Sequence, residues 1–248
     1  MLCVPLMLLL PYYLGDRRGR RRTGILLLFM FVVQVLTLSR SAALGDAVGL
    51  AVLLPVLRRY MPSARSIGTV VGGLAVVFGA VYASSHFVRT VIGARTQLHG
   101  SSTQTHLQFY QLVPPALDPH PLFGIGFNTF AVFYQFITGK TDFGPHSAWI
   151  AILVETGMVG MALYLVYFAY LVASAAAIWR SSDPDISRLG NGLVAAFAAT
   201  AAANLFYLTM TFDYFFALAL LAVAGAAMFG PARVRVPAGV PATVGSTP

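Results

Sequence analysis

The sequence predicts an all-α protein: a polytopic transmembrane helix bundle with one large, partly helical extracytoplasmic loop. Three observations carry this prediction. The 248-residue chain is 58% apolar and only 10% charged. Its apolar residues fall into runs of roughly 16 to 21, about what a helix needs to cross a ~30 Å hydrocarbon core. Most of its basic residues collect in alternate connections between those runs.

Spans are expected near 1–14, 23–38, 42–57, 67–85, 158–178 (or from 147), 191–208 and 214–230. The first is short for a crossing, and its charges follow the apolar stretch, the reverse of a secretory signal. We therefore expect the chain to start inside a span, either because the start is placed late or because upstream helices are missing. Arg17, Arg18, Arg20, Arg21 and Arg22 follow this span, Arg58, Arg59 and Arg65 the third, Arg180 and Arg188 the fifth, and Arg233 with Arg235 the last. Such clusters mark the cytoplasmic side. Arg40, Arg89, Arg95 and Lys140 then face outward. The net charge of +8 is a topology signal with attraction to anionic lipid headgroups, and it requires no nucleic-acid partner. Residues 1–230 form the expected membrane domain, and 231–248 a disordered cytoplasmic tail. The single cysteine, Cys3, excludes an internal disulfide and a Cys-based zinc site.

Cytoplasmic connections are short, whereas the outer segment 86–146 is long enough to be read as functional. All five histidines (His86, His99, His106, His120 and His146) fall within it. Thr103 to Leu117 reads as a short amphipathic helix ended by Pro114-Pro115. Pro119, Pro121, Gly124 and Gly126 impose an irregular turn. The apolar stretch Phe127 to Ile137 is too short to span and suits the bilayer surface, with Phe127, Phe130, Phe133, Tyr134 and Phe136 as interfacial aromatics.

His146 stands at the mouth of a membrane segment, either as a reactive group or as an interfacial residue at a helix start after Pro145. Glu155 comes nine residues later, about 900° and ~13 Å along a continuous helix, so the two cannot form a dyad on one helix. Residues 147–178 would make a helix of ~48 Å, too long for the bilayer core, so a break is expected near Gly157 and Gly160. Glu155 is then expected near the surface, accepting hydrogen bonds from backbone donors or orienting a basic residue. Asp46, within the third span, should face the bundle interior, as a functional group or as part of a small-residue packing face with Gly45 and Gly49. Asp213 is equally open, and Asp118 and Asp142 read as turn residues. Asp183-Pro184-Asp185 has the look of a metal-nucleotide motif, but it sits in a short cytoplasmic loop with ordinary turn chemistry.

Pro121, Gly124, Gly126 and Phe130, then His146-Ser147, then Glu155, Gly157 and Gly160, form an ordered pattern. It resembles the core of the O-antigen ligase and polymerase superfamily, and Ser39-Arg40-Ser41 resembles that family's Ser-Arg element. The likeness runs from about Leu26 to Ala173 and implies a shortened or N-terminally truncated member. The resemblance implies glycan transfer from a polyprenyl diphosphate carrier to a hydroxyl on a glycan, lipid or protein acceptor. The reaction would occur at the outer face of the bacterial cytoplasmic membrane.

On that resemblance, His146 is the base or acceptor-orienting group, since imidazole titrates near neutrality. Arg40 leads the diphosphate ligands, because a guanidinium stays charged and pairs with phosphate oxygens. Snorkelling to headgroups is the simpler account of Arg40. Arg89 and Arg95 are further phosphate candidates. Where the family commonly carries another arginine this chain reads Ser102-Thr103-Gln104-Thr105-His106-Leu107, so either His106 or a neighbouring arginine is expected to take over its contact with phosphate. Glu155, Gly124 and Gly126 are supporting residues. No metal or cofactor is expected, and partners in a membrane complex remain open. The competing readings are a transporter of a lipid-linked glycan or small anion, using Arg40 and Asp46, and a noncatalytic truncated subunit.

Overall fold

The computed structural model describes residues 2–15, 19–37, 39–60, 110–139, 147–210 and 213–230, with isolated helical residues between 76 and 93. The described residues contain helices and no strand. They are α1 (Cys3–Gly15), α2 (Arg20–Leu36), α3 (Arg40–Tyr60), α4 (Val113–Leu117), α5 (Phe130–Thr138), α6 (Ala148–Trp179), α7 (Pro184–Ala203) and α8 (Asp213–Phe229). Most of the expected fourth span, and the expected tail, lie outside the described residues.

Helix α7 is the central post, packed against α1, α3 and α6. Its face is built from small residues, which let neighbouring backbones approach closely. A Cβ on Gly192 would come within 2.9 Å of Leu8 Cα, and one on Gly45 within 2.8 Å of the Ala199 carbonyl oxygen. Phe168, Phe197 and Phe215 fill the space between α6, α7 and α8, with ring centroids 6.0 to 6.5 Å apart.

Contacts fix the helix directions. Gly45 lies against Ala199 and Ala203, while Pro55 and Val56 share a cleft with Asn191 and Arg188, so α3 runs antiparallel to α7. The start of α6 bonds to the end of α7, and its last residues meet Gly190, making this pair antiparallel as well. Arg180 and Arg188 therefore lie at one end of the bundle and Arg40 at the other.

Helix α6 has 32 residues and is long and apolar enough to cross a membrane; α1 and α8 are shorter apolar helices. Its outward side chains are apolar: Leu163 is 66% and Val166 69% exposed. A soluble surface seldom carries so continuous a patch.

Several boundaries differ from the sequence expectation. The helix expected at 191–208 is α7, which starts earlier and ends at Ala203. Asp183 caps its first turn, accepting from the N–H groups of Asp185 (2.8 Å) and Ile186 (3.2 Å), with Pro184 in the first position. This is ordinary helix-start chemistry. Pro114 and Pro115 lie inside α4, where their missing N–H groups cost nothing in a first turn, so they open a short helix that follows the helical residues Tyr110 and Gln111 after a turn at Leu112. Residues 103–109 of the expected amphipathic helix are outside the described residues. In α5, Phe136 is 90% exposed, but Phe130 and Tyr134 are buried against Ile150 and Val154 of α6, so the aromatics divide between core and surface.

Candidate functional site

The expected break in α6 occurs at Gly157, whose φ of 69° and ψ of −170° leave the helical region. A break strands backbone groups on both sides: carbonyls before it and N–H groups after it lose their helical partners. The Gly-rich turn supplies replacements. Ile125 N–H donates to the Val154 carbonyl (2.9 Å) and Gly126 N–H to the Glu155 carbonyl (3.0 Å). In return, Met158 N–H donates to the Pro121 carbonyl (2.9 Å) and Val159 N–H to the Leu122 carbonyl (3.1 Å). Turn and helix break are thus one interlocked unit.

Two glycines make the contact possible. Gly124 has a φ of 70°, and a Cβ there would overlap the Val154 carbonyl and the Gly157 nitrogen. A Cβ on Gly157 would overlap the Leu122 carbonyl. Both need the left-handed backbone and the absence of a side chain. The break leaves Met158–Trp179 as the continuous helix, about 33 Å long, close to the thickness of a hydrocarbon core.

Glu155 accepts from the Phe130 N–H at 3.3 Å, binding the start of α5 to the broken helix. It is buried beneath the turn, not near the surface as the sequence suggested, because the turn docks over this part of α6. Gly124, Gly126 and Glu155 are therefore brought together, and the hydrogen bonds they make are structural.

A second cluster forms where α7 ends. Ser147 caps α6, accepting from Ile150 N–H (3.4 Å) while its hydroxyl donates to the Asn204 carbonyl (3.2 Å). Ala148 N–H donates to the carbonyls of Asn204 (3.2 Å) and Tyr207 (2.9 Å). Trp149 Nε1 donates to Ala201 (3.0 Å), and the Tyr110 hydroxyl to Leu205 (2.6 Å). Carbonyls left open by the end of one helix thus receive donors from the start of another and from Tyr110. Sequence reasoning missed Asn204. The available signal was an amide inside an alanine-rich apolar run, a costly placement unless its hydrogen bonds are made.

Arg40 begins α3 at this same end of α7 and is exposed. Ser39 and Ser41 beside it share a hydroxyl hydrogen bond of 3.0 Å, and Ser39 Oγ accepts from Ala42 N–H. Arg89 is helical and exposed. His146, Arg95 and His106 are outside the described residues; His146 directly precedes Ser147 in the chain. Asp46 is half-buried, and its Oδ2 accepts from Gln34 Nε2 at 2.7 Å. Asp183 and Asp185 are engaged as a helix cap and as the partner of Arg188. Among the described residues, no three His, Cys, Asp or Glu side chains gather as metal ligands do.

Helices alone among the described residues, an apolar outer surface and one helix long enough to cross a bilayer define the class: a membrane-associated helical protein. A family model described as O-antigen ligase matches residues 25–165. That is more than half of the chain, and the chain belongs to the O-antigen ligase family. The matched region holds Arg40, the Gly-rich turn and the break at Gly157. Membership makes the chain a ligase-type glycosyltransferase in general terms, with lipid-linked glycans as its substrate class. No curated protein matches the chain.

Proposed function

We propose that this protein moves a glycan from a polyprenyl diphosphate carrier to an acceptor hydroxyl at the outer face of the bacterial cytoplasmic membrane. Residues 1–230 form its multi-span membrane domain, and segment 86–146 its outer functional loop. The observation that carries the reading is the meeting of two helix starts at the end of α7. Arg40 opens α3 there, and Ser147, the residue after His146, caps α6 there.

In the proposed reaction the acceptor oxygen bonds to the anomeric carbon as the bond from that carbon to the diphosphate oxygen breaks. His146 takes the acceptor proton, and the electron pair leaves with the diphosphate. Arg40 offsets the charge that grows on the leaving group, with Arg89, Arg95 and His106 as further phosphate contacts. These cationic groups suffice electrostatically without a metal. Glu155, Gly124 and Gly126 hold the loop in place.

Reconstitution tests the reading. The purified chain, in vesicles containing a polyprenyl diphosphate-linked glycan and an acceptor, is expected to form the glycosylated acceptor and release polyprenyl diphosphate. Movement of intact donor between leaflets without a new glycosidic bond would support a transporter instead.

A further inference from the structure

Helix α5 is apolar on both of its faces. Phe130 and Tyr134 pack against Ile150 and Val154 of α6, while Val132 is 68% and Phe136 90% exposed on the opposite side. A helix without a polar face is covered by protein or by lipid. The same surface continues onto the Gly-rich turn, where Phe127 is 83% exposed and Leu122 and Phe123 are exposed as well. Between positions 119 and 139 the chain has no Asp, Glu, Lys or Arg. On α6 the only charged residue is Glu155, and it is buried.

We infer that the exposed face of α5 and of the Gly-rich turn docks into the outer leaflet of the bilayer, and that the acyl chains of bilayer lipid are its partner. This rests on the proposed membrane crossing of Met158–Trp179. That segment is about 33 Å long, so with Trp179 at the cytoplasmic end, Met158 stands at the outer boundary of the hydrocarbon. Residues 148–156 turn back at Gly157 and run beside the crossing helix. Trp149 meets Tyr164 and Phe168 edge to face, with ring centroids 5.8 Å apart in both pairs. Tyr164 and Phe168 lie about 9 and 15 Å below Met158 along the axis. The arm 148–156 therefore reaches back into the outer half of the bilayer, and α5 is packed on it through Ile150 and Val154.

The joint at Gly157 suits this setting. In hydrocarbon no water takes up the backbone groups that a helix break opens, so each needs a protein partner. Ile125, Gly126, Met158 and Val159 all donate across the joint, to the carbonyls of Val154, Glu155, Pro121 and Leu122. The apolar face also runs on without a charged residue to the exposed Met158, Val159 and Leu163 of α6. A protein interface ends in a polar rim, whereas a lipid-facing surface simply continues. A lipid-linked donor in that leaflet then meets the turn without leaving the membrane.

Nitroxide labels test the inference in the full chain, reconstituted in vesicles of phosphatidylcholine and phosphatidylglycerol. Cys3→Ala removes the native thiol, and single labels are placed by Val132→Cys, Phe136→Cys, Val166→Cys and Arg180→Cys. All four side chains are exposed, so the labels displace no packing. Power saturation compares collisions with oxygen, which concentrates in hydrocarbon, and with a water-soluble nickel chelate. The labels on α5 are expected to match the one at Val166, high for oxygen and low for nickel, with the reverse at Arg180.

Nickel access on α5 equal to that at Arg180, with Val166 in lipid, would overturn the inference and leave the crossing intact. Low collision with both reagents on α5 would also overturn it, marking a second copy or another protein on this face. A label at Val166 that behaves like the one at Arg180 would defeat the membrane reading itself.

Discussion

Gly124 and Gly157 meet in one close backbone contact: a Cβ on Gly124 would overlap the Gly157 nitrogen, and a Cβ on Gly157 would overlap the Leu122 carbonyl two residues before Gly124. The turn that contains Gly124 repairs the hydrogen bonds that the break at Gly157 opens. Two glycines far apart in sequence are therefore parts of one joint between the Gly-rich turn and the longest helix.

Alanine at either glycine should be severely destabilising. The left-handed backbone alone costs roughly 1–2 kcal/mol for a residue with a Cβ, and the overlap with a main-chain carbonyl cannot be relieved by moving a side chain. Gly139 offers the control: its φ is 68°, but no atom lies within 4 Å of a Cβ built there. Thermal unfolding in detergent should show large losses for Gly124→Ala and Gly157→Ala and a modest one for Gly139→Ala. Equal losses at all three would show that the joint contributes nothing beyond backbone strain.

Glu155 is expected to act as an acceptor and not as a charge. Glu155→Gln keeps an oxygen for the Phe130 N–H and should retain most of the stability and the transfer rate. Glu155→Ala removes that acceptor and should lower stability by about 1 kcal/mol, the net worth of an ordinary hydrogen bond. Unfolding curves of the two variants separate the cases; if Gln behaves like Ala, the carboxylate charge matters.

Asp183→Ala removes the cap of α7 and should lower stability by about 0.5–2 kcal/mol. Transfer activity per folded molecule should be unchanged. A large loss of kcat in a folded Asp183→Ala protein would revive a metal-nucleotide role for Asp183-Pro184-Asp185.

Asp46→Asn preserves an acceptor for Gln34 and removes the charge. Transfer is expected to remain within about twofold of the parent, because small effects are the rule for changes away from reacting groups. Abolished activity in this variant would favour a pathway in which Asp46 carries a charge through the bundle, as a transporter requires.

Helix composition and the break in α6 were legible from the sequence because apolar run length and bilayer thickness are simple constraints. The break follows from a stretch too long for the core that contains Gly157. Where a helix stops is harder to read. The boundary at Ala203 depends on how Asn204 bonds to Thr209 and Met210, a contact that closes only after the chain turns. The prolines of α4 read as a stop because proline cannot sit inside a helix, yet in a first turn the same property favours a start. Glu155 was legible as an acceptor for backbone donors, but its burial was not, because the docking of the turn over it is a tertiary contact, invisible to helix periodicity. Arg40 and the Ser147 end of α6 share one end of the bundle, as the charge pattern suggested, because alternation of helix direction is fixed by the order of the connections.

The most direct test of the central claim is steady-state transfer by the reconstituted protein with His146→Ala and Arg40→Ala, measured against donor concentration. The account predicts that His146→Ala lowers kcat by about 100- to 10,000-fold, the range for loss of a general base, with donor KM little changed. Arg40→Ala should weaken donor binding and slow transfer together, with partial recovery in Arg40→Lys. Parental kcat and KM in both variants, with the protein folded and membrane-inserted, would contradict it.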